Sequence, residues 1–284
     1  CGRIAWSPSV ILFVALILRL MFVFTPPQLS NDIYRYQWDG ANLLQGVNPY
    51  TAAPSQQKPP PALLDIHSRI NHPEFVTIYL PAAQIVFAGG GVFGNDFIAI
   101  KGFLTLFDMV LCALLVLLLR QLKMQMWWAV LYAWNPLPVL EIAASGHVDG
   151  TGLTLLVGSF FLLTINQQSN AVADLKKWPF LLSGTLLACA GLVKLFPFVL
   201  APLWFLLVPR GRRGHFIAGF FATLAALVLP FMPNLVNVID SMKAYACNWE
   251  FSGFVFNMLR NITGSGTIAR LLLLCIFFLV VITT

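Results

Sequence analysis

Long apolar runs recur along the chain, and they leave few folds open. Val10 to Phe24 and Leu104 to Leu119 are dominated by Leu, Val, Ile, Phe and Ala. Strands of a membrane barrel alternate between lipid-facing and lumen-facing residues, and these runs do not alternate. A helix satisfies its backbone polar groups within itself, so unbroken apolar runs suit transmembrane helices. Composition agrees: 58% of residues are hydrophobic and 10% charged, against about 25% charged in soluble domains. The chain therefore reads as an all-α, polytopic membrane protein.

A span needs roughly 20 apolar residues. Candidate apolar segments are Ser7 to Phe24, Phe75 to Gly89, Ala99 to Leu119, Trp127 to Ile142, Leu153 to Ile165, Pro179 to Val193, Leu195 to Val208, Phe216 to Met232 and Ile268 to Ile282. They predict a bundle of roughly eight to ten spans forming a single domain over 1–284. A loop is expected from Pro233 to about Gly266. Thr25-Pro26-Pro27 follows the first run in place of a small-residue cleavage site, so that run reads as an anchor. The chain starts on Cys1 and stops where an apolar run ends, the pattern of a segment truncated at one or both ends. Its five cysteines form no CxxC pair, so neither a disulfide framework nor a zinc site is expected.

The net charge of +6 reads as orientation rather than as nucleic-acid binding, which needs a clustered basic face on a soluble fold. The basic clusters Arg120 with Lys123, Lys176 with Lys177, and Arg210 with Arg212 and Arg213 are each separated by two apolar segments. They fall on one face, cytoplasmic by the positive-inside rule. The polar segment 25–74 then lies outside as a large first extracytoplasmic loop. That parity requires Phe75 to Gly89 to enter and leave on the same side, which Pro81 and the Gly89-Gly90-Gly91 triplet permit.

Chemistry concentrates where the apolar pattern stops. Ser30 to Tyr50 reads SNDIYRYQWDGANLLQGVNPY and holds Asp32, Tyr34, Arg35, Tyr36, Trp38, Asp39, Asn48 and Tyr50. Acids, a base and aromatic rings beside an anchor suit a polar, ring-shaped substrate, with the rings as stacking platforms. Asp32 and Asp39 share a helix face if the segment is helical, although Asp39-Gly40 also reads as a turn. Either carboxylate could act as a general base while the other orients Arg35 or a sugar hydroxyl.

A second polar break holds Glu141, His147 and Asp149 within SGHVDG, candidates for binding substrate hydroxyls. His147 and Asp149 lack a third ligand at a recognisable spacing, so no metal site is assigned and no cofactor is expected, a divalent ion staying open. Lys194 stands alone between two apolar runs and requires an anion. Its candidates are Glu141 or Asp108 from another helix, or the phosphate of a lipid entering from the bilayer. Arg19, Lys101 and Asp108 read as structural pairs inside the bundle.

SNDIYRYQWDG…GVNPY, RINHPEFVTIYLPAAQ, WNPLPVLEIAASGHVDG and KLFPFVLAPLW occur in that order. Together they resemble bacterial polyprenol-phosphate-sugar-dependent glycosyltransferases of the GT-C class, nearest the α-mannosyltransferase branch of the glycosyltransferase 87 kind. The resemblance covers roughly Arg19 to Pro209, and it departs from the family pattern at Leu80-Pro81, where the family reads Pro-Pro. It implies a multi-pass enzyme of the bacterial inner membrane with its active site on the extracytoplasmic side, in the catalytic loop 25–74. Asp32 matches the family's catalytic base. Its partners would be a polyprenyl-phosphate sugar donor, most simply of mannose, a glycan or glycolipid acceptor in the cell envelope, and membrane lipids. Transfer would invert the anomeric centre.

On that reading Arg35, Tyr36, Asp39, Asn48, Tyr50, Glu141, His147 and Asp149 bind substrate, and Lys194 with Arg35 holds the lipid phosphate. A secondary transporter is the main alternative, since it shares broken helices and intramembrane charges. It should show an internal repeat, and none is visible.

Overall fold

A computed structural model describes residues 7–165, 176–248 and 253–283 of the chain. All regular structure in those residues is helical. The chain divides into two units, Cys1–Ser241 and Met242–Thr284.

Helix α1 spans Pro8–Val23, and its start is set by Ser7, whose hydroxyl accepts from the Val10 N–H. Helix α2, Asp32–Leu44, follows and is polar. A 3₁₀ turn at Pro61–Leu63 leads into the short α3, Leu64–Ser68. Helix α4, Pro81–Gly91, starts on a proline, whose missing N–H costs nothing at a helix's first position. Its 11 residues span about 16 Å, too short to cross a bilayer. Helix α5, Phe97–Gln121, is the longest apolar helix of the first half.

The run from Trp127 to Ile142 does not form one helix. Asn135-Pro136 and Pro138 break it into α6, Val130–Ala133, α7, Pro136–Pro138, and a π-helical turn, Val139–Ala144. Then come α8, Asp149–Thr164, α9, Trp178–Val193, and α10, Phe196–Leu207. Helix α11, Arg213–Val228, continues through a 3₁₀ turn into α12, Met232–Asn248. The region expected as a loop after Pro233 is thus largely helical. Helices α13, Phe254–Thr263, and α14, Gly266–Thr283, complete the second unit.

Among the described residues two helical stretches are long and apolar enough to cross a membrane, Phe97–Gln121 and Arg210–Tyr245. The segments Pro136–Ala144 and Asp149–Thr164, bent by 118° at their break, make a third if they count as one span. Pro8–Val23, Trp178–Val193, Phe196–Leu207 and Gly266–Ile276 are apolar but shorter. Proline and glycine breaks separate this smaller number from the eight to ten spans read from the runs.

In the first unit α5 packs against α1, α4 and α8, and α9 packs against α8, α10 and α11. One core joins Ile33 and Tyr36 of α2 to Ala83 and Phe87 of α4, Ile100 and Leu104 of α5, and Leu192 and Val193 of α9. The opposite face of α2 is also covered: Trp38 and Ala41 pack against Leu63, Ile66 and Ile70. In water, burying each of those large side chains is worth about 1.5–3 kcal/mol, enough to fold this segment down as a cap. Charged groups that sit deep have partners. Arg19 and Asp108 are fully buried, 2.5 Å apart, and the Tyr132 hydroxyl donates to the other Asp108 oxygen at 2.6 Å. Lys101 donates to the Phe22 and Thr25 carbonyls, satisfying the C-terminal end of α1.

Candidate active site

Asp32 opens α2, where a helix's N-terminal dipole favours an acid. The helix is held by close backbone contact: a Cβ on Gly40 would lie 2.5 Å from the Phe87 carbonyl oxygen. Asp39-Gly40 is therefore helical rather than a turn, because glycine lets α2 approach α4.

One turn in, the Arg35 guanidinium donates to Asp39 at 2.9 Å and to the Phe75 carbonyl at 3.0 Å. The buried Gln84 amide donates to Asp39, to the Thr77 hydroxyl and to the Tyr79 carbonyl, at 3.3, 3.1 and 3.2 Å. The Tyr50 hydroxyl donates to that same Tyr79 carbonyl at 2.8 Å, and its ring meets Phe231 edge-on. These bonds tie the non-helical stretch 75–80 to α2 and leave the Tyr79 side chain in a fixed place.

Tyr79 donates to Asp32 Oδ2 at 3.3 Å, and the Asn71 amide donates to Asp32 Oδ1 at 2.8 Å. The Tyr36 and Tyr79 hydroxyls are 3.2 Å apart. Tyr79's one proton points at Asp32, so Tyr36 is the donor between them. Tyr36 remains a neutral hydroxyl: burial first, then the neighbouring Tyr79 and Asp32, hold it well above its usual range. With both oxygens accepting, Asp32 is an oriented carboxylate whose side chain is 33% exposed.

The second polar break reaches the same carboxylate. His147 Nε2 lies 3.9 Å from Asp32 Oδ2, and its Nδ1 lies 2.5 Å from Glu141 Oε2. Gly146 turns the chain with φ +79°, and a Cβ there would meet Ile33 Cδ1 at 2.8 Å. Lys194 ends α9 in an extended conformation, and its ammonium lies 3.1 Å from Asp149 Oδ1 at the start of α8. Asp149 is thus its partner, rather than the Glu141 or Asp108 named from sequence. Both side chains of that pair are at least one-third exposed.

Asp32, Tyr36, Glu141 and His147 therefore come together from segments far apart in the chain, with Asp149 near enough to act on Tyr36. Arg35, Asp39 and Tyr50 lie beneath, buried and engaged with protein groups. Asn48 closes a local turn, its side-chain oxygen accepting from the Tyr50 N–H. Tyr36, Trp38 and Tyr50 are buried, so their rings pack the core instead of forming the open stacking platforms expected from sequence. The site also depends on Asn71, Tyr79, Thr77 and Gln84, none of which stands out as a candidate in the sequence. Their signal was faint: polar side chains scattered through RINHPEFVTIYLPAAQ, between two apolar stretches. No cluster of three metal-ligating side chains exists among the described residues.

The arrangement is a carboxylate-centred polar cluster at the end of a helix bundle. The chain belongs to the family described as alpha-(1→6)-mannopyranosyltransferase, N-terminal domain, which matches residues 5–210. It is therefore a glycosyltransferase, and the transporter alternative falls. No curated protein and no solved structure matches the chain.

Proposed function

We propose that the enzyme transfers mannose from a polyprenyl-phosphate donor to a hydroxyl of an envelope glycan or glycolipid, with inversion and with Asp32 as the general base. One observation carries this reading. Of the two acids in the α2 motif, Asp39 is buried and paired with Arg35, whereas Asp32 is open and aimed by Asn71 and Tyr79. A base must touch the acceptor hydroxyl, and Asp32 alone of the pair can be reached. Inversion to an α-linked product requires a donor whose sugar is β-linked to phosphate. The 1→6 linkage in the family's description supports a primary hydroxyl as the acceptor.

Lys194 would hold the donor phosphate, exchanging its exposed bond to Asp149 for the phosphate oxygens and stabilising the charge that develops as the phosphate leaves. Asp149 and Glu141 would accept from sugar hydroxyls. Arg35, Asp39, Tyr36 and Tyr50 would act through Tyr79 and α2, without touching sugar, and Asn48 would shape the adjoining turn.

An apolar cavity of about 390 Å³ lies between α5, α8 and α9, lined by Phe103, Leu106, Val110, Leu155, Leu162 and Leu186 among others. It suits an isoprenoid chain. Its position supports a lipid donor, because α8 and α9 also carry Asp149 and Lys194. The cluster also lies at the opposite helix ends from the basic residues. Arg120 ends α5 and Lys177 precedes α9, whereas Gly146 meets the start of α5 and Lys194 follows the end of α9. With the basic end cytoplasmic, the site faces outward across the bacterial inner membrane. The eight to ten spans would then include shorter helices embedded beside their neighbours.

The donor test is transfer in proteoliposomes, polyprenyl-phosphate mannose against GDP-mannose. Transfer from the lipid donor alone, giving an α-linked product, is expected. Equal transfer from the nucleotide sugar would contradict the proposal.

A further inference from the structure

His147 lies between two carboxylates that come from different elements. Its Nδ1 is 2.5 Å from Glu141 Oε2, and its Nε2 faces Asp32 Oδ2 at 3.9 Å. The backbone that carries it is fixed: the His147 N–H donates to the Glu141 carbonyl at 2.9 Å, and the Ser145 hydroxyl donates to the Leu140 carbonyl at 2.9 Å. Gly146 is packed against Ile33 and the aliphatic stem of Lys101. A ring clamped this tightly by its Nδ1 partner has its other nitrogen aimed, as in a carboxylate–histidine pair.

We propose that His147 is a positioning residue that clears the proton from Asp32 after each transfer and passes it through Glu141 to water. The inference rests on the reading of Asp32 as the base. Each turnover leaves a proton on Asp32. Its hydrogen-bond partners are ill suited to take it: Asn71 presents an amide N–H, and Tyr79 already accepts from Tyr36. His147 Nε2 is a basic atom within a small side-chain rotation of hydrogen-bond distance. The steps balance. The acceptor O–H bond breaks and its proton joins an Asp32 oxygen as the new glycosidic bond forms. That proton moves to Nε2, the Nδ1 proton moves to Glu141, and Glu141, the most exposed of the three side chains, releases a proton to solvent. The ring then loses its Nε2 proton to water and regains one from water at Nδ1, which restores the starting tautomer for the next turnover.

The charged groups around the ring are Asp32 on α2, Glu141 on the π-helical turn and Asp149 at the start of α8. Beyond Asp149 lies its partner Lys194, and the Lys101 amine is held away on the Phe22 and Thr25 carbonyls. The Tyr36 and Tyr79 hydroxyls complete the ring's polar surroundings on the Asp32 side.

The test compares His147→Gln, Glu141→Gln and Asp32→Asn with wild type in proteoliposomes supplied with polyprenyl-phosphate mannose. His147→Gln should lower kcat by about thirtyfold while the donor KM stays within about twofold. It should also move the acidic limb of the kcat–pH profile to lower pH. Glu141→Gln should shift the same limb, and it carries the test if His147→Gln does not fold. An unchanged kcat and limb in the folded variant, or a change confined to KM, would overturn the proposal. If Asp32→Asn is inactive while His147→Gln behaves as wild type, only this inference fails. If Asp32→Asn is active, the base reading fails first.

Discussion

The Asn71 amide donates to Asp32 Oδ1 at 2.8 Å, across 39 positions of sequence. Asn71 lies just beyond Ile70, which packs beneath Trp38, so the cap over α2 and the aim of the carboxylate are one structure. Asn71→Ala should lower kcat by about tenfold through lost orientation, with the donor KM nearly unchanged. Steady-state kinetics in proteoliposomes checks this, and a kcat equal to wild type would remove Asn71 from the site.

Arg19 and Asp108 form a dry pair between α1 and α5, and removing one partner strands the other. Asp108→Ala should cost about 3–5 kcal/mol of stability. The double variant Arg19→Met with Asp108→Leu should recover most of it, because an apolar pair of similar volume leaves no buried charge. Thermal unfolding in detergent reads both.

Glycines at 40 and 102 separate packing from propensity. Gly40→Ala drives a Cβ against the Phe87 backbone at 2.5 Å and should destabilise by about 1–3 kcal/mol. A Cβ at Gly102 meets nothing within 4 Å. Gly102→Ala should stabilise by up to about 1 kcal/mol, since alanine is the better helix former. Equal melting temperatures for the two variants would contradict the α2–α4 contact.

Alkaline pH should destabilise the packing of α2 and the stretch 75–80. Burial, followed by Asp39, pushes Tyr50 far up, and burial with Tyr79 and Asp32 does the same to Tyr36. The fold therefore favours their neutral hydroxyls, whereas an unfolded tyrosine ionises near pH 10. Their contribution is fully present below about pH 10 and is lost as pH rises beyond it. Melting temperature measured from pH 8 to 11 should fall more steeply for wild type than for Tyr50→Phe.

Helical class and the chemistry-bearing stretch were legible because both are local. Apolar runs declare helices, and Ser30 to Tyr50 departs from its surroundings in composition alone. Separating Asp32 from Asp39 was not legible from spacing, because both lie on α2 and differ only in what covers them: Arg35 and Gln84 enclose Asp39, and Gln84 arrives from α4. The same holds for Tyr36, Trp38 and Tyr50. An aromatic beside an acid looks like a sugar platform until the fold shows it packed on Phe87, on the α3 cap or on Phe231. Lys194 needed an anion by simple electrostatics, but only the 118° break before α8 brings Asp149 to it. Tyr79 stayed hidden because its backbone carbonyl and its hydroxyl do different work, and sequence shows neither.

The base assignment to Asp32 is the centre of the account, and Asp32→Asn tests it most directly. The substitution keeps the shape of the side chain and removes its basicity, exchanging one of its two accepting oxygens for a donating NH2. In proteoliposomes with polyprenyl-phosphate mannose and acceptor, kcat should fall by at least about a hundredfold, while the melting temperature stays near wild type. Transfer at the wild-type rate by a folded Asp32→Asn enzyme would contradict the account.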